Sequence, residues 1–312
     1  MILIKDIAEI PKDVNFALTI GNFDGVHMGH QFLLKSINDV IRPLGKKLVI
    51  VTFVPHPQVV LRQGQDQFLI NTYLERRELL KNSQVDYLIE INFNRDLSTL
   101  SAEDFLLKYV CKHKGLSAVY LGHDFSFGAN KMGTHEKMQQ FFQREQFKNI
   151  TLSIELAYIH DKNIISSSLI RKLLREGDIE KVSLYLGRNY KITNSVIRGD
   201  GRGKKIGFAT ANIVVPVEVM TPALGVYISL TKIDDRTYQS VTNVGARPTF
   251  KEQSEIVVET NLFDFNEDIY GKKIEVLFLK RLRSELKFDS VNKLVDQIHK
   301  DVTEAKNYHH KI

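Results

Sequence analysis

The chain has one cysteine, Cys111, in 312 residues, which excludes an intramolecular disulfide and any thiolate-rich zinc or iron–sulfur centre. That scarcity fits a reducing compartment, and the cytoplasm is the expected location. Tryptophan is absent and proline is scarce at 7 residues, so polyproline and collagen-like architectures do not apply. No run of about 18 apolar residues occurs, and Lys5 and Asp6 interrupt the apolar N-terminus, so neither a secretion signal nor a membrane span is expected. Charge of one sign is also missing: 43 basic residues are interspersed with 37 acidic ones, and neither half forms a basic arm for nucleic acid. What remains is a soluble globular composition, 43% hydrophobic and 26% charged, with length for two domains of about 100 to 200 residues.

Up to residue 186, short apolar runs at 16–20, 48–53, 87–91, 118–122 and 150–156 alternate with amphipathic stretches. This is the pattern of a parallel sheet covered on both faces by helices. The spacing predicts a helix after the first run, with Leu33, Ile37, Val40, Ile41 and Leu44 as its inner stripe and Gly45 at its end. Another helix is predicted from an N-cap at Ser101, with Phe105, Leu106 and Tyr109 along it. From residue 187 onward, strand-like runs separated by turn residues predict a small antiparallel barrel. The last stretch, capped by Asp289 or Ser290, reads as a helix that turns Val291, Leu294, Val295 and Ile298 towards that barrel. Two domains are therefore expected, at 1–186 and 187–312.

GNFDGVHMGH, at 21–30, follows the first predicted strand and opens the first predicted helix. Free backbone N–H groups and the helix dipole favour an anion there, and Gly21, Gly25 and Gly29 permit a sharp turn and close approach to a ligand. His27 and His30 sit in the first helical turn and suit a phosphate better than zinc, because no third ligand stands nearby at metal spacing. Further on, Asp124, Phe125 and Phe127 read either as a ring-stacking pocket for a nucleotide or flavin or as core packing.

The second half carries RGDGRGKKIGFATANI, in which Gly201, Gly203 and Gly207 interleave with Lys205 and other basic residues in a loop suited to phosphate. Thr210 and Asn212 follow on one face of an extended segment and offer oxygen ligands of the kind Mg²⁺ takes. Glu259 lies inside the apolar run IVVETNLF, as either a general base beside a substrate hydroxyl or a strand-edge carboxylate facing water.

Around 21–30 the sequence resembles the HxGH nucleotidyltransferase superfamily, and more narrowly the adenylyltransferase module of bacterial bifunctional riboflavin kinase/FAD synthetases. The likeness continues through TFVPHP at 52–57, GHDFSFGANKMG at 122–133 and SSSLIRKLLREGDIEKVSLYLGRNY at 166–190. GFATANI, PALGVYI at 222–228, TNVGARPTF at 242–250, VETNLFDFNEDIYGKKIEV at 258–276 and LRSELKFDSVNKLVDQIHKD at 282–301 resemble the riboflavin kinase module. The resemblance implies a Rossmann-like parallel-sheet domain followed by a small β-barrel with a C-terminal helix. It also implies phosphorylation of riboflavin to FMN and adenylylation of FMN to FAD, with ATP as co-substrate and Mg²⁺ as cofactor.

On residues, the resemblance places the ATP phosphates on His27, His30, Ser166, Ser167 and Arg171, with Gly21, Phe23, Asp24, Gly25 and Gly29 in the same motif. It puts magnesium on Thr210 and Asn212, the catalytic base on Glu259 and a flavin contact on Arg283. Four positions depart from the family pattern: Val54 for an acidic residue, Ser168 for threonine, Ala209 for proline and Asn261 for histidine. A chain retaining only one reaction, or a flavin- or nucleotide-binding regulatory protein built on degenerate sites, is the alternative. Small molecules are the expected partners, with neither nucleic acid nor membrane among them.

Overall fold

The structure, a computed structural model, describes residues 1–61, 67–123, 125, 127–129, 132–199, 208–247 and 255–310. Two compact units are present, Met1–Gln65 with Asn71–Ser166, and Asp66–Ile70 with Ser167–Ile312.

The first unit runs β1 (Ile2–Ile4), β2 (Phe16–Ile20), α1 (Met28–Ile41), β3 (Lys47–Val54), α2 (Pro57–Leu61), α3 (Tyr73–Lys81), β4 (Tyr87–Asn92), α4 (Arg95–Ser98), α5 (Ala102–Tyr109), β5 (Leu116–Gly122), α6 (His135–Phe142) and β6 (Thr151–Glu155). A short hairpin, β7 (Ile159–His160) and β8 (Asn163–Ile164), follows. The main sheet is wholly parallel in the order β1-β4-β3-β2-β5-β6. Its strands lack apolar alternation because both faces are covered: Phe16, Leu18 and Ile20 of β2 enter one core and Ala17 the other. Each buried Leu, Ile or Phe here contributes about 1.5–3 kcal/mol of transfer free energy. The strand order reverses at β2, so the crevice beyond the carboxyl ends of β2 and β5 is the place where such sheets bind ligands.

Helix α1 buries Leu33, Leu34, Ile37 and Ile41, but Val40 and Leu44 of the predicted stripe are 54% and 64% exposed. The α-helix ends at Ile41, and a 3₁₀ turn at Arg42–Leu44 carries Leu44 outward before Gly45 reverses the chain at φ 68°. Ser101 caps α5 as expected, accepting from the Asp104 N–H. Thr72 and Glu75 form a reciprocal capping box on α3.

The second unit contains α7 (Ser167–Glu176), α8 (Ile179–Leu186), β9 (Tyr190–Ser195), β10 (Ala211–Val214), β11 (Gly225–Ile233), β12 (Arg236–Arg247), β13 (Glu255–Leu262), β14 (Lys273–Arg283) and α9 (Val291–His309). Helix α8 packs on β9 and β14, and the Ala223 N–H donates to the Leu174 carbonyl, so both helices group with the strands that follow. The strands pair antiparallel in the order β10-β13-β12-β11-β14-β9. A bridge between Ile197 and Asn212, with the Ile197 N–H donating to the Asn212 carbonyl at 2.8 Å, brings the two ends together into a nearly closed barrel.

Inside the barrel the hydroxyls of Ser229, Thr231, Ser240, Thr242 and Thr260 are fully buried and bond one another at 2.6–3.0 Å, as buried polar groups must. Ser290 caps α9, which covers the outer face of β11 and β12 and packs Ala305 among Val226, Ile228 and Val241. Its buried residues are Asp301, Ala305 and His309, whereas Val291 is 62% exposed, so the helix docks through its second half rather than its first turn.

Candidate active sites

Beyond Ile20 the chain turns through Gly21–His27 into α1. Phe23 (φ 50°), Gly25 (φ 83°) and Val26 (φ 37°) all have left-handed backbone. For Phe23 and the β-branched Val26 that conformation is strained, by about 1–3 kcal/mol each. Gly29 leaves little room for a side chain: a Cβ would lie 3.0 Å from the Ile165 carbonyl oxygen and 3.1 Å from the His27 ring, so its neighbours would have to give way by a few tenths of an ångström. His27 is the N-cap of α1, its Nδ1 accepting from the His30 N–H at 3.3 Å. The two imidazoles stack with centroids 3.7 Å apart, and the His30 ring meets the buried Phe23 ring at 5.0 Å. Asp24 and His27 are buried. Gly21, Phe23, Asp24, Gly25, His27, Gly29 and His30 thus lie on one turn, at the helix N-terminus whose N–H groups favour an anion.

Around this turn stand residues to which the sequence assigns no role, although Thr52 and Phe53 open the TFVPHP stretch. The Gly25 N–H donates to Asn71 Oδ1 at 2.8 Å. The Asn22 carbonyl accepts from Thr52 Oγ1 at 3.2 Å and from Arg76 Nη1 at 3.0 Å. Arg76 is buried; it also donates to the Phe53 carbonyl at 3.3 Å and to Glu90 Oε1 at 3.1 Å, while Arg77 takes both oxygens of Glu90. Burial pulls the Arg76 guanidinium below the ordinary arginine range, opposed chiefly by the charge of Glu90. The one sequence signal nearby, Thr72 followed three residues later by Glu75, marks a helix start and not a site.

Ser166 precedes Ser167, the first residue of α7. Arg171, one turn further, is buried; its Nε donates to the Phe68 carbonyl at 2.9 Å and its guanidinium lies 3.9 Å from the Phe68 ring centroid. Phe125 and Phe127 stack on each other at 5.5 Å, and Phe127 is buried edge-on against Phe105, so both rings take part in the core and Phe125 is half-buried beside it. Asp124 lies outside the described residues, as do Gly201, Gly203, Lys205 and Gly207.

In the barrel, strand register does what sequence spacing could not. Asn212 of β10 pairs with Glu259 of β13, Glu259 with Asn243 of β12, Asn243 with Val226 of β11, and Val226 with Arg283 of β14. Directly opposed residues share a face, so Asn212, Glu259, Asn243 and Arg283 form one row across five strands on the face of the sheet turned away from the barrel interior. Asn212 is buried; its Nδ2 donates to the carbonyl and hydroxyl of Thr210 at 3.4 Å each. Its Oδ1 is buried with no partner among the described residues, and a Cβ on Gly199 would come within 2.6 Å of the same amide. An orphaned amide oxygen beside a threonine hydroxyl is a donor pair that fits a hard cation. Glu259 is half-buried. Arg283 is fixed by Asp301 of α9, with Nε 3.1 Å from both carboxylate oxygens and Nη2 2.7 Å from Oδ2, and Gln297 donates to the same carboxylate. Asn243 and Asp301 fall within stretches that resemble the kinase module but carry no assigned role there, because only the barrel register and the helix docking bring them to this row.

Comparison with known proteins also divides the chain in two. A family model described as FAD synthetase matches residues 9–169, and one described as Riboflavin kinase matches 186–309. The bifunctional riboflavin kinase/FMN adenylyltransferase of Bacillus subtilis is 35% identical over 93% of this chain and 92% of its own. That of Buchnera aphidicola subsp. Schizaphis graminum is 33% identical over 99% of both, and that of Escherichia coli K12 is 29% identical over 98% and 96%. A solved chain described as a macrolide-efflux protein from Streptococcus pneumoniae superposes with a TM-score of 0.85 at 31% identity, covering 98% of both chains. The chain belongs to the bifunctional riboflavin kinase/FMN adenylyltransferase family. Among the described residues no helix is long and apolar enough to cross a membrane.

Proposed function

We propose that this bifunctional enzyme phosphorylates riboflavin to FMN with residues of its barrel half, 187–312, and adenylylates FMN to FAD with residues of 1–186. Flavin is substrate and product in both steps, ATP is co-substrate, the compartment is the cytoplasm, and neither nucleic acid nor membrane is a partner.

The observation that carries the kinase assignment is the row that runs from Asn212 through Glu259 to Arg283. In this reading Glu259 takes the proton of the flavin hydroxyl as its oxygen attacks the γ-phosphorus of ATP, and ADP leaves with the bridging oxygen. Arg283, already fixed by Asp301, orients the flavin. Thr210 Oγ1 and Asn212 Oδ1 are the ligands assigned to Mg²⁺, an ion that neutralises phosphate charge when bound. Gly201, Gly203, Lys205 and Gly207 are assigned to the ATP phosphates.

For adenylylation, a phosphate oxygen of FMN attacks the α-phosphorus of ATP and pyrophosphate leaves, with no covalent enzyme intermediate. His27, His30 and the N–H groups at the start of α1 stabilise the charge that develops, and Ser166, Ser167 and Arg171 are assigned to the same phosphates. Gly21, Phe23, Asp24, Gly25 and Gly29 shape the nucleotide turn, and Asp124, Phe125 and Phe127 are assigned to flavin.

Incubation with riboflavin, ATP and Mg²⁺, followed by chromatography, should yield both FMN and FAD. FMN alone would leave only the kinase assignment standing. FAD formed only from supplied FMN would leave only the adenylyltransferase, and flavin binding without turnover would make the chain a regulator.

A further inference from the structure

We infer that Thr52 and Arg76 are positioning residues for adenylyl transfer, clamping the Asn22 carbonyl so that the strained Gly21–His27 turn stays in its working conformation. The inference rests on the adenylyltransferase reading of the N-terminal half.

Two non-glycine residues with left-handed backbone relax unless their surroundings over-determine them. The turn fixes its own ends, through the Gly21 N–H on the Val51 carbonyl at 3.0 Å and the Val26 N–H on the Phe23 carbonyl at 3.2 Å. Between those bonds lies the Asn22 carbonyl, and two side chains from other elements converge on it. Thr52 is fully buried in β3, and Arg76 comes from the first turns of α3.

Burying a guanidinium is costly unless it is paired and hydrogen-bonded, and an apolar side chain of similar volume would pack α3 as well or better. What a packed methionine cannot do is donate to two carbonyls in a fixed fork. Arg76 does this at Asn22 and Phe53, and so joins the turn to the end of β3. Glu90, the register partner of Thr52 on β4, offsets the charge from the far side, and Asp24 within the turn favours it too. The Arg76–Glu90 pair therefore braces the turn through the Asn22 carbonyl.

The test uses the full chain, whose FMN formation serves as an internal control. Thr52→Val removes one donor at nearly constant volume, Thr52→Ser restores it, and Arg76→Met removes the other. The turnover number for FAD formation from FMN is expected to fall about tenfold in Thr52→Val and about 100-fold in Arg76→Met, with the KM for ATP changed less than about threefold. Thr52→Ser should return to near the parent rate, and riboflavin phosphorylation should be unchanged in all three. Normal FAD formation in Thr52→Val overturns the inference; should Arg76→Met fail to fold, the Thr52→Val and Thr52→Ser pair decides alone. His30→Ala run in parallel separates the two levels. Loss of FAD formation there with a normal Thr52→Val removes the clamp only, whereas normal FAD formation in His30→Ala removes the reading beneath it.

Discussion

Asn261 Nδ2 donates to the Ala209 carbonyl at 2.7 Å. These are the two positions at which the kinase half departs from the histidine and proline of the family it resembles, so the departures form one contact. Asn261 lies on the same face of β13 as Glu259, and Ala209 immediately precedes Thr210, so the bond links the strand of Glu259 to the segment that carries Thr210 and Asn212.

Because proline restricts the unfolded chain, Ala209→Pro should leave stability unchanged or raise it by about 0.4–1 kcal/mol. Asn261→Ala should cost about 0.5–1.5 kcal/mol, the net worth of a hydrogen bond. In the Ala209→Pro background the segment is already restricted and Asn261→Ala should cost less, with a coupling of about 0.5 kcal/mol or more by urea denaturation. Additivity within about 0.3 kcal/mol would show that the contact holds nothing in place.

Single substitutions should separate the two reactions, because the two sets of residues are assigned to different bonds. Glu259→Gln keeps the size and hydrogen bonding of the side chain but removes the base. FMN formation should fall about 10²–10⁴-fold while FAD formation from supplied FMN stays near normal. His30→Ala should do the reverse, with a loss on the order of 10²–10³-fold. Melting curves on both variants separate catalytic loss from unfolding, and loss of both reactions in a folded Glu259→Gln protein would defeat the two-site assignment.

How much of this was legible beforehand depends on the distance over which each feature is determined. The sheet strands were readable because a strand covered on both faces is apolar at every position, and the Ser101 and Ser290 caps because their bonds span only three residues. Leu44 lies outside the core because the helix tightens to a 3₁₀ turn after Ile41, which periodicity does not reveal, and Val40 because it falls at the edge of the face buried by Leu33, Leu34, Ile37 and Ile41. The site shows the same contrast. The turn at 21–30 is contiguous and carries its own glycines and histidines, whereas Arg76, Asn71 and Asp301 are ordinary helix or loop residues until topology brings them to Asn22, Gly25 and Arg283.

Both reactions should stop in EDTA and resume on addition of Mg²⁺, since the assigned donors are hard oxygens and the substrates polyphosphates. The Asn212 amide gives a sharper measurement. Its buried Oδ1 has no protein partner among the described residues, so Asn212→Ala should raise the Mg²⁺ concentration needed for half-maximal FMN formation by about tenfold or more, with little effect on that for FAD formation. An unchanged Mg²⁺ requirement for FMN formation would remove Asn212 from the ligand set.

Cys111 offers a pH-dependent test that is independent of catalysis. Burial pushes its thiol up to about 12, so the folded protein keeps it protonated where an exposed cysteine is already part thiolate. At pH 8 iodoacetamide should therefore label Cys111 at least about 100-fold more slowly in the folded protein than in urea. The same shift fixes the sign of a stability effect. With the folded value above the unfolded one, the contribution is fully present below about pH 8.5 and is lost as pH rises towards 12, because only the unfolded chain then gains the charge freely. Between pH 8 and 10.5 the urea midpoint should fall further for the parent than for Cys111→Ala, which has no thiol to ionise. Equal falls, together with rapid labelling at pH 8, would show that the thiol is open to solvent.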